Sequence, residues 1–289
     1  MGLINTLKKP LLLYRKATSK GVYSPWDDPE MSYMKSPVMK ERLYRELASV
    51  ILPFLKENVG LTQLTYDWAM KTVVEFFDVY GNKPFQDNQG GASFNNSILL
   101  FFAVRAMKPS VIVESGVWKG MTTYIMHKAN PEAKIFCFDV SFGKLQYRCP
   151  KAVYTEKDWG QYDFSGEDLS NSLAFFDCHI NHALRIRQSY DNGFRRLIVD
   201  DNPPIHKMYS FGLPPIPTAD MLYNEDLKEG DVIEWIWNGK EKSYTISEKE
   251  LYGAKELISK YHVFPEVGSM SRYGVKRGTQ SFLSYLELE

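Results

Sequence analysis

Between Met39 and Glu57 the apolar side chains fall at Leu43, Leu47, Val50, Ile51, Phe54 and Leu55. That three-and-four spacing predicts an amphipathic helix. A second helix is expected from about Leu64 to Val79, with Trp68, Val73, Phe76 and Phe77 on one side. Asn82 to Asn96 reads as a loop around Asn88 and Gly91, and a helix follows over Ile98 to Met107. The period then changes. Five short apolar runs, Val111–Val113, Ile135–Phe138, Ala152–Tyr154, Leu173–Phe176 and Leu197–Val199, have strand length. Helical or polar stretches long enough for a crossover separate most of them. This rhythm predicts an α/β fold with a doubly wound, mostly parallel sheet, preceded by a helical cap.

Past the fifth run the pattern is less regular. Gly212 to Thr245 reads as an insertion, and Asn238-Gly239 within it is a strong hairpin turn. Ser247 and Glu250 form a capping box for a helix expected to end near Lys260. His262–Val267 and Phe282–Leu288 supply two closing strands, with Gly268, Gly274 and Gly278 between them. The division is thus a helical cap and connector over 1–94 and an α/β domain over 95–289, with the insertion at 212–245. The cap helices are too short to stand alone and are expected to cover the substrate entrance.

Composition narrows the function classes. The chain has 289 residues, 44% hydrophobic and 24% charged, enough for a large core. Lys plus Arg and Asp plus Glu are 35 each, so no global field draws in nucleic acid. Cys137, Cys149 and Cys178 form no Cys-x-x-Cys pair, which points to free thiols in a reducing, cytoplasmic setting and against structural zinc. The longest apolar run, Ile98 to Val104, is far too short to span a bilayer. Residues 1–20 carry leucines among five basic side chains and no acid, a pattern suited to a packed helix or to weak peripheral contact with an anionic membrane. Self-association as a homodimer is expected from its frequency among soluble enzymes.

The most informative segment is Val111 to Gly120. A strand-like run ends in Glu114, followed by Gly116 and Gly120, and a helix begins at Met121. A sharp strand-to-helix turn leaves unpaired N–H groups beside a gap kept open by glycine, a corner built for a nucleotide-type ligand. A dinucleotide site expects Gly-x-Gly-x-x-Gly, whereas here an acid precedes two glycines. An acid repels a phosphate and favours a ligand with a positive charge. Asp139 ends the next strand, where a carboxylate can accept both hydroxyls of a ribose. A ribose, a cation and no phosphate describe S-adenosylmethionine.

Val111 to Gly120, followed by Phe136-Cys137-Phe138-Asp139, resembles the first two motifs of the class I S-adenosylmethionine-dependent methyltransferases. The resemblance implies a Rossmann-like sheet closed by an antiparallel strand. It also implies that Glu114, Gly116 and Gly120 line the methionine end, that Asp139 holds the ribose, and that Asp158 and Trp159 contact adenine.

Asp177 directly follows the fourth run, and Asp200, Asp201 and Asn202 directly follow the fifth. Neighbouring strands lie about 5 Å apart, so these side chains should share one cleft. Crowded carboxylates at neutral pH need a compensating cation or proton, and oxygen ligands suit Mg²⁺, Mn²⁺ or Ca²⁺. The same placement is similar to the cation-dependent O-methyltransferases of the catechol type (Asp, then Asp-Asn) and of the macrocin type (Asp-Asp). Both registers, Asp200 with Asp201 and Asp201 with Asn202, are therefore open. His179 stands two residues past Asp177 and is the candidate base, with His182 and His206 nearby. Trp235 and Trp237 share a strand face and either wall an acceptor or pack the hairpin on the core. The expected activity is cation-assisted methyl transfer to a hydroxyl of a small molecule or glycan. The alternatives are a metal-independent transferase acting through His179, and a non-catalytic binding or scaffold protein on the same fold.

Overall fold

The structure, a computed structural model, describes residues 36–85, 88, 90–267 and 282–289. The basic N-terminal stretch at 1–20 and the glycines at 268, 274 and 278 lie outside the described residues. Three helices come first: α1 (Pro37–Glu57), α2 (Tyr66–Gly81) and α3 (Phe94–Met107). The side chains of Ser36, Thr65 and Ser93 cap them by accepting from the backbone N–H three residues on. Helix α3 starts earlier than its apolar run implied, because the Ser93 cap captures Phe94 to Ser97 into the first turn.

Strand and helix then alternate through β1 (Val111–Ser115), α4 (Met121–Ala129), β2 (Lys134–Phe138), β3 (Val153–Thr155), β4 (Ser172–Phe176), α5 (His182–Asn192) and β5 (Arg196–Val199). Short helix α6 (Ala219–Asn224) precedes a hairpin of β6 (Val232–Trp237) and β7 (Lys240–Thr245). Asn238 and Gly239 both take positive φ in its turn, as a two-residue hairpin loop requires. The Ser247 capping box forms, but α7 runs only over Glu248–Leu251. Tyr252 and Gly253 turn left-handed and stop it, so β8 (Ile258–Val263) begins inside the stretch expected to be helical. The final strand is β9 (Ser284–Leu288).

The main sheet has the order β3-β2-β1-β4-β5-β9-β8. Its first five strands are parallel, and β9 enters antiparallel between β5 and β8. The expected doubly wound sheet with an antiparallel closing strand is present. Residues alternate between two apolar layers, as strands buried on both faces must. Ile112, Ile135, Leu173 and Phe175 meet helices α1 to α4, while Val113, Phe136, Phe176 and Val199 meet the α5 side. Helices α1 and α2 belong to the first layer. Phe54 stacks on Phe264 with ring centroids 4.5 Å apart, and Asn58 Nδ2 lies 3.0 Å from His262 Nδ1. No described residue of α1 or α2 lines the cleft, so the cap helices cover a sheet face and not the entrance.

Candidate active site

The chain leaves β1 toward β2 on one side and later returns to β4 on the other. A crevice opens at that reversal, outside the carboxyl ends of the strands. It is a cleft of about 500 Å³ reached by the loops after β1, β2, β3, β4 and β5, by the Gly90–Ser93 turn and by Phe282. Backbone bonds carry the ladder to its rim. Asp177 N–H donates to the Ser115 carbonyl and Asp200 N–H to the Phe176 carbonyl, both at 2.8 Å. The two acids thus start from the sheet edge itself.

The glycine corner is closed by contact between loops. Gly116 has φ +93°, and a Cβ there would overlap the Asp177 carbonyl oxygen. Gly120 caps α4 with φ +88°, and a Cβ would stand 2.5 Å from the Tyr147 carbonyl oxygen. Of these two, Gly116 lines the cleft and Gly120 is buried behind it.

Glu114 does not face the cleft as the resemblance implied. It points with Ile112 into the α4 side of the sheet, wholly buried, and accepts from the hydroxyls of Thr122 and Thr123 in the first turn of α4. Burial pushes its carboxyl up to about 7, against the opposing pull of those hydroxyls. Strand alternation decides this: Glu114 is one residue short of the edge and shares a face with the core.

Asp139 does reach the corner, but its oxygens are largely occupied. Oδ2 accepts from the N–H groups of Val117 at 2.8 Å and Trp118 at 2.9 Å, and Oδ1 accepts from Ser141 N–H at 3.2 Å. A carboxylate has about four acceptor directions. One remains, so it cannot take a pair of ribose hydroxyls without giving up the loop.

Asp158 borders the cleft and Trp159 does not. The Trp159 ring is 0% exposed, packed against Phe164, Phe176 and Phe194, so its side chain is a core residue and not an adenine contact. Asp158 forms a two-pronged ion pair with Arg185, at 3.0 Å from Oδ1 to Nη1 and 2.7 Å from Oδ2 to Nη2. Burial alone would raise its carboxyl. The Arg185 hydrogen bonds and charge outweigh that and hold it below the usual range. Sequence reading missed Arg185; a lone arginine on a helix carries no signal until its partner is known.

At the β4–β5 end, Asp177, His179 and Asp201 converge, with one ligand atom from each within 4.8 Å of the others. His179 Nδ1 lies 3.0 Å from Asp201 Oδ2. His179 and Asp201 both hold left-handed backbones, with φ 52° and 49°. Trp118 and Phe282, which also line the cleft, do the same, so four of the seven such non-glycine residues among those described lie here. Such strain concentrates where side chains are aimed for function.

The neighbouring oxygens serve other purposes. Asp200 accepts from Asn96 Nδ2 at 2.9 and 2.7 Å, and its Oδ1 from Asp201 N–H at 2.8 Å. Asn202 is turned into the sheet, donating to Tyr261 and Ser284 and accepting from Asp220 N–H. Asn202 is therefore not a ligand candidate, and the register with Asp201 and Asn202 is excluded. Asp200 holds Asp201 in place.

Burial, then the charges of Asp200 and Asp201, push the Asp177 carboxyl well up. Burial and the Asp201 charge raise Asp200 as well. The hydrogen bond to Asp201 raises His179. This crowded, partly uncompensated set fits a divalent cation held by the Asp177 and Asp201 carboxylates, with the His179 imidazole beside them on Asp201. His182 is buried and accepts from Ala219 N–H, and burial lowers it to about 4. His206 is exposed and does not line the cleft. Trp235 donates to the Phe211 carbonyl and Trp237 packs beside Gly212, so the pair fixes the hairpin to the body.

No family model matches the sequence, and no curated protein matches it. Solved structures similar to the chain include the SAH-bound methyltransferase PaMTH1 of Podospora anserina, at 16% identity, covering 52% of this chain and 70% of that one, with TM-score 0.35. The 1,6-didemethyltoxoflavin-N1-methyltransferase of Burkholderia thailandensis is similar at 10% identity, over 75% and 84%, with TM-score 0.35. The MycE methyltransferase of the mycinamycin pathway, in complex with Mg and SAH, is similar at 13% identity, over 80% of this chain and 59% of that one, with TM-score 0.38. Overlaps this partial assign no role to any side chain of the cleft, whose chemistry rests on its own geometry.

Proposed function

We propose that the protein is an S-adenosylmethionine-dependent methyltransferase acting on a hydroxyl of a small molecule or glycan, with a divalent cation at Asp177 and Asp201. The observation that carries this reading is that one cleft joins the Gly116 corner to the Asp177–His179–Asp201 group. Its lining acids are Asp139, Glu156, Asp158, Asp177, Asp200 and Asp201, against the cations Lys157 and Arg185, and Arg185 is already paired. That balance disfavours a pyrophosphate and favours a cationic sulfonium ligand, a part that Glu114 cannot play from inside the core.

Gly116, whose missing side chain lets the Asp177 loop pack against it, would floor the ligand's methionine end, and Asp139 keeps the loop closed while offering its last acceptor direction to one ribose hydroxyl. Transfer of a methyl group in line needs the acceptor oxygen held at the sulfonium and stripped of its proton. A divalent cation, when bound, would lower the pKa of a hydroxyl placed beside it. Asp177 and Asp201 are the residues that would hold it. His179, 57% exposed above the cleft and oriented by Asp201, is the group placed to receive the proton.

A second reading dispenses with the cation, favoured by the 3.0 Å His179–Asp201 contact that already compensates Asp201. Calorimetry with S-adenosylhomocysteine and with NAD tests the cofactor: tight NAD binding without response to the sulfonium product would refute the proposal. A methyl-acceptor screen with and without chelator separates the two readings.

A further inference from the structure

Asn96 stands in the first turn of α3 and in the wall of the cleft, 104 residues before its partner on the loop after β5. The helix cap fixes its own place, because Ser93 Oγ accepts from Asn96 N–H at 3.3 Å. Its carboxamide nitrogen lies 2.9 Å from Asp200 Oδ1 and 2.7 Å from Oδ2, so it donates to both oxygens of one carboxylate. Asp200 is buried, and from the helix side its carboxylate is held against rotation.

On its other side Asp200 Oδ1 accepts from Asp201 N–H at 2.8 Å. That N–H needs a partner. With φ 49° the Asp201 backbone has left the ladder that ends where Asp200 N–H meets the Phe176 carbonyl. A left-handed aspartate persists where its surroundings hold it, and the Asp200 carboxylate does so here. Asp201 Oδ2 in turn lies 3.0 Å from His179 Nδ1. An ionised carboxylate has no proton to give, so Nδ1 is the donor. One line of bonds thus runs from the α3 cap through Asn96, Asp200 and Asp201 to the exposed imidazole.

We propose that Asn96 is a positioning residue: acting through Asp200, it keeps the Asp201 carboxylate aimed at His179 and at the cation site. The role rests on the reading of that end of the cleft as the reacting end. Asn96 is neutral, so it steadies Asp200 without cancelling the negative charge that a cation would meet. A lysine or arginine in its place would form an ion pair and remove that charge. Through Asn96, helix α3, which precedes the sheet, takes part in the site.

The test reads the imidazole directly, by nitrogen magnetic resonance of the full chain labelled at histidine, with chelator present. At about pH 9, where an imidazole is neutral, His179 should carry its proton on Nδ1. Loss of the signal in His179→Gln assigns it. Asn96→Leu keeps the size of the side chain and removes the donor. Its His179 should turn toward the Nε2–H form that a free imidazole prefers. The ratio of Nδ1–H to Nε2–H should fall about tenfold, the worth of one charge-assisted hydrogen bond. A packing role alone would lower the melting temperature and leave that ratio in place. A folded Asn96→Leu protein with the wild-type ratio overturns the role, as does a wild type whose His179 is already in the Nε2–H form. If that variant does not fold, Asn96→Ala is read in the same way. Without chelator, Mn²⁺ titration followed by electron paramagnetic resonance should show binding about ten- to a hundredfold weaker in the variant, the range for residues that orient a metal ligand. Unchanged Mn²⁺ affinity in a folded variant overturns the role equally. Wild type that binds no Mn²⁺ removes the cation reading alone, because the imidazole is measured without metal.

Discussion

Around the glycine corner every acid already has its donors: Asp139 is taken by three backbone N–H groups and Glu114 by two threonine hydroxyls. At the far end of the same cleft, the Asp177 carboxyl has no hydrogen-bond donor among the described residues and is buried near Asp200 and Asp201, and Asp201 shares one exposed imidazole. The first end is finished as built, and its acids hold the backbone in shape. The second end is left with charge that a ligand must complete. Shape is specified at the corner; chemistry is concentrated at the acids. Mutations at the two ends should therefore fail in different ways, the first in cofactor binding and the second in turnover.

The sharpest break is Gly116→Val. The new side chain must adopt φ +93° and displace the Asp177 carbonyl, which couples the two ends. The left-handed backbone and the overlap together should cost about 3 kcal/mol or more. S-adenosylhomocysteine binding should disappear in calorimetry, and the melting temperature should fall. A variant that binds normally would show that the corner is not the cofactor site.

Asp201→Ala should do the opposite. Turnover with any accepted hydroxyl should drop about a hundred- to ten-thousandfold, the usual weight of a positioned acid–base group. Affinity for S-adenosylhomocysteine should change by less than about threefold, since its contacts lie on earlier strands. Parallel losses in both quantities would merge the two ends into one structural unit and remove the contrast.

The parts legible in the sequence are those set by period and by chain order. The five parallel strands, the hairpin at Asn238-Gly239 and the convergence of Asp177 with Asp201 all follow from apolar alternation and from acids one residue past a strand end. What failed was side-chain direction at single positions. Glu114 and Asn202 look like cleft residues in a linear motif, but a shift of one residue along a strand turns a side chain to the opposite face. Trp159 sits beside Asp158 in the motif, but a large ring beside a strand end finds more contact in the core. Arg185, Asn96 and the caps on Asp139 depend on partners 27, 104 and 22 residues distant, which no local pattern records.

Glu114→Gln sharpens the difference between an acid that holds structure and one that does chemistry. The folded carboxyl is raised from 4.5 to about 7 by burial, so the folded state holds its proton more tightly than the unfolded chain. Stability from this group is then full below the unfolded value, declines as pH rises toward about 7 and is level above it. The decline amounts to on the order of 3 kcal/mol. Asp177 and Asp200, also raised, tilt the wild-type curve in the same direction, so only the difference between the two proteins isolates Glu114. Chemical denaturation from pH 5 to 8 should show the Gln variant gaining on wild type as pH increases. Parallel curves would mean that the Glu114 carboxyl titrates alike in the folded and unfolded chain.

Asp139→Asn is the smallest change and bears most directly on what an acid at the corner is for. The amide keeps one oxygen, so at least one of the N–H groups of Val117, Trp118 and Ser141 loses its acceptor. Affinity for S-adenosylhomocysteine should weaken about tenfold, the net worth of one charge-assisted hydrogen bond. The same comparison with a 2′,3′-dideoxyribose analogue separates two causes. If Asp139 acts mainly by holding the loop, the analogue binds more weakly than the parent but suffers nearly the same loss on mutation. If it acts mainly on ribose, the mutation costs the analogue almost nothing, because the contact is already gone. Three backbone donors on one carboxylate favour the first outcome, with a small coupling left for the single open lone pair. A coupling as large as the whole tenfold would mean that the loop bonds give way when ligand binds, and the corner would then be remodelled by its cofactor instead of finished in advance.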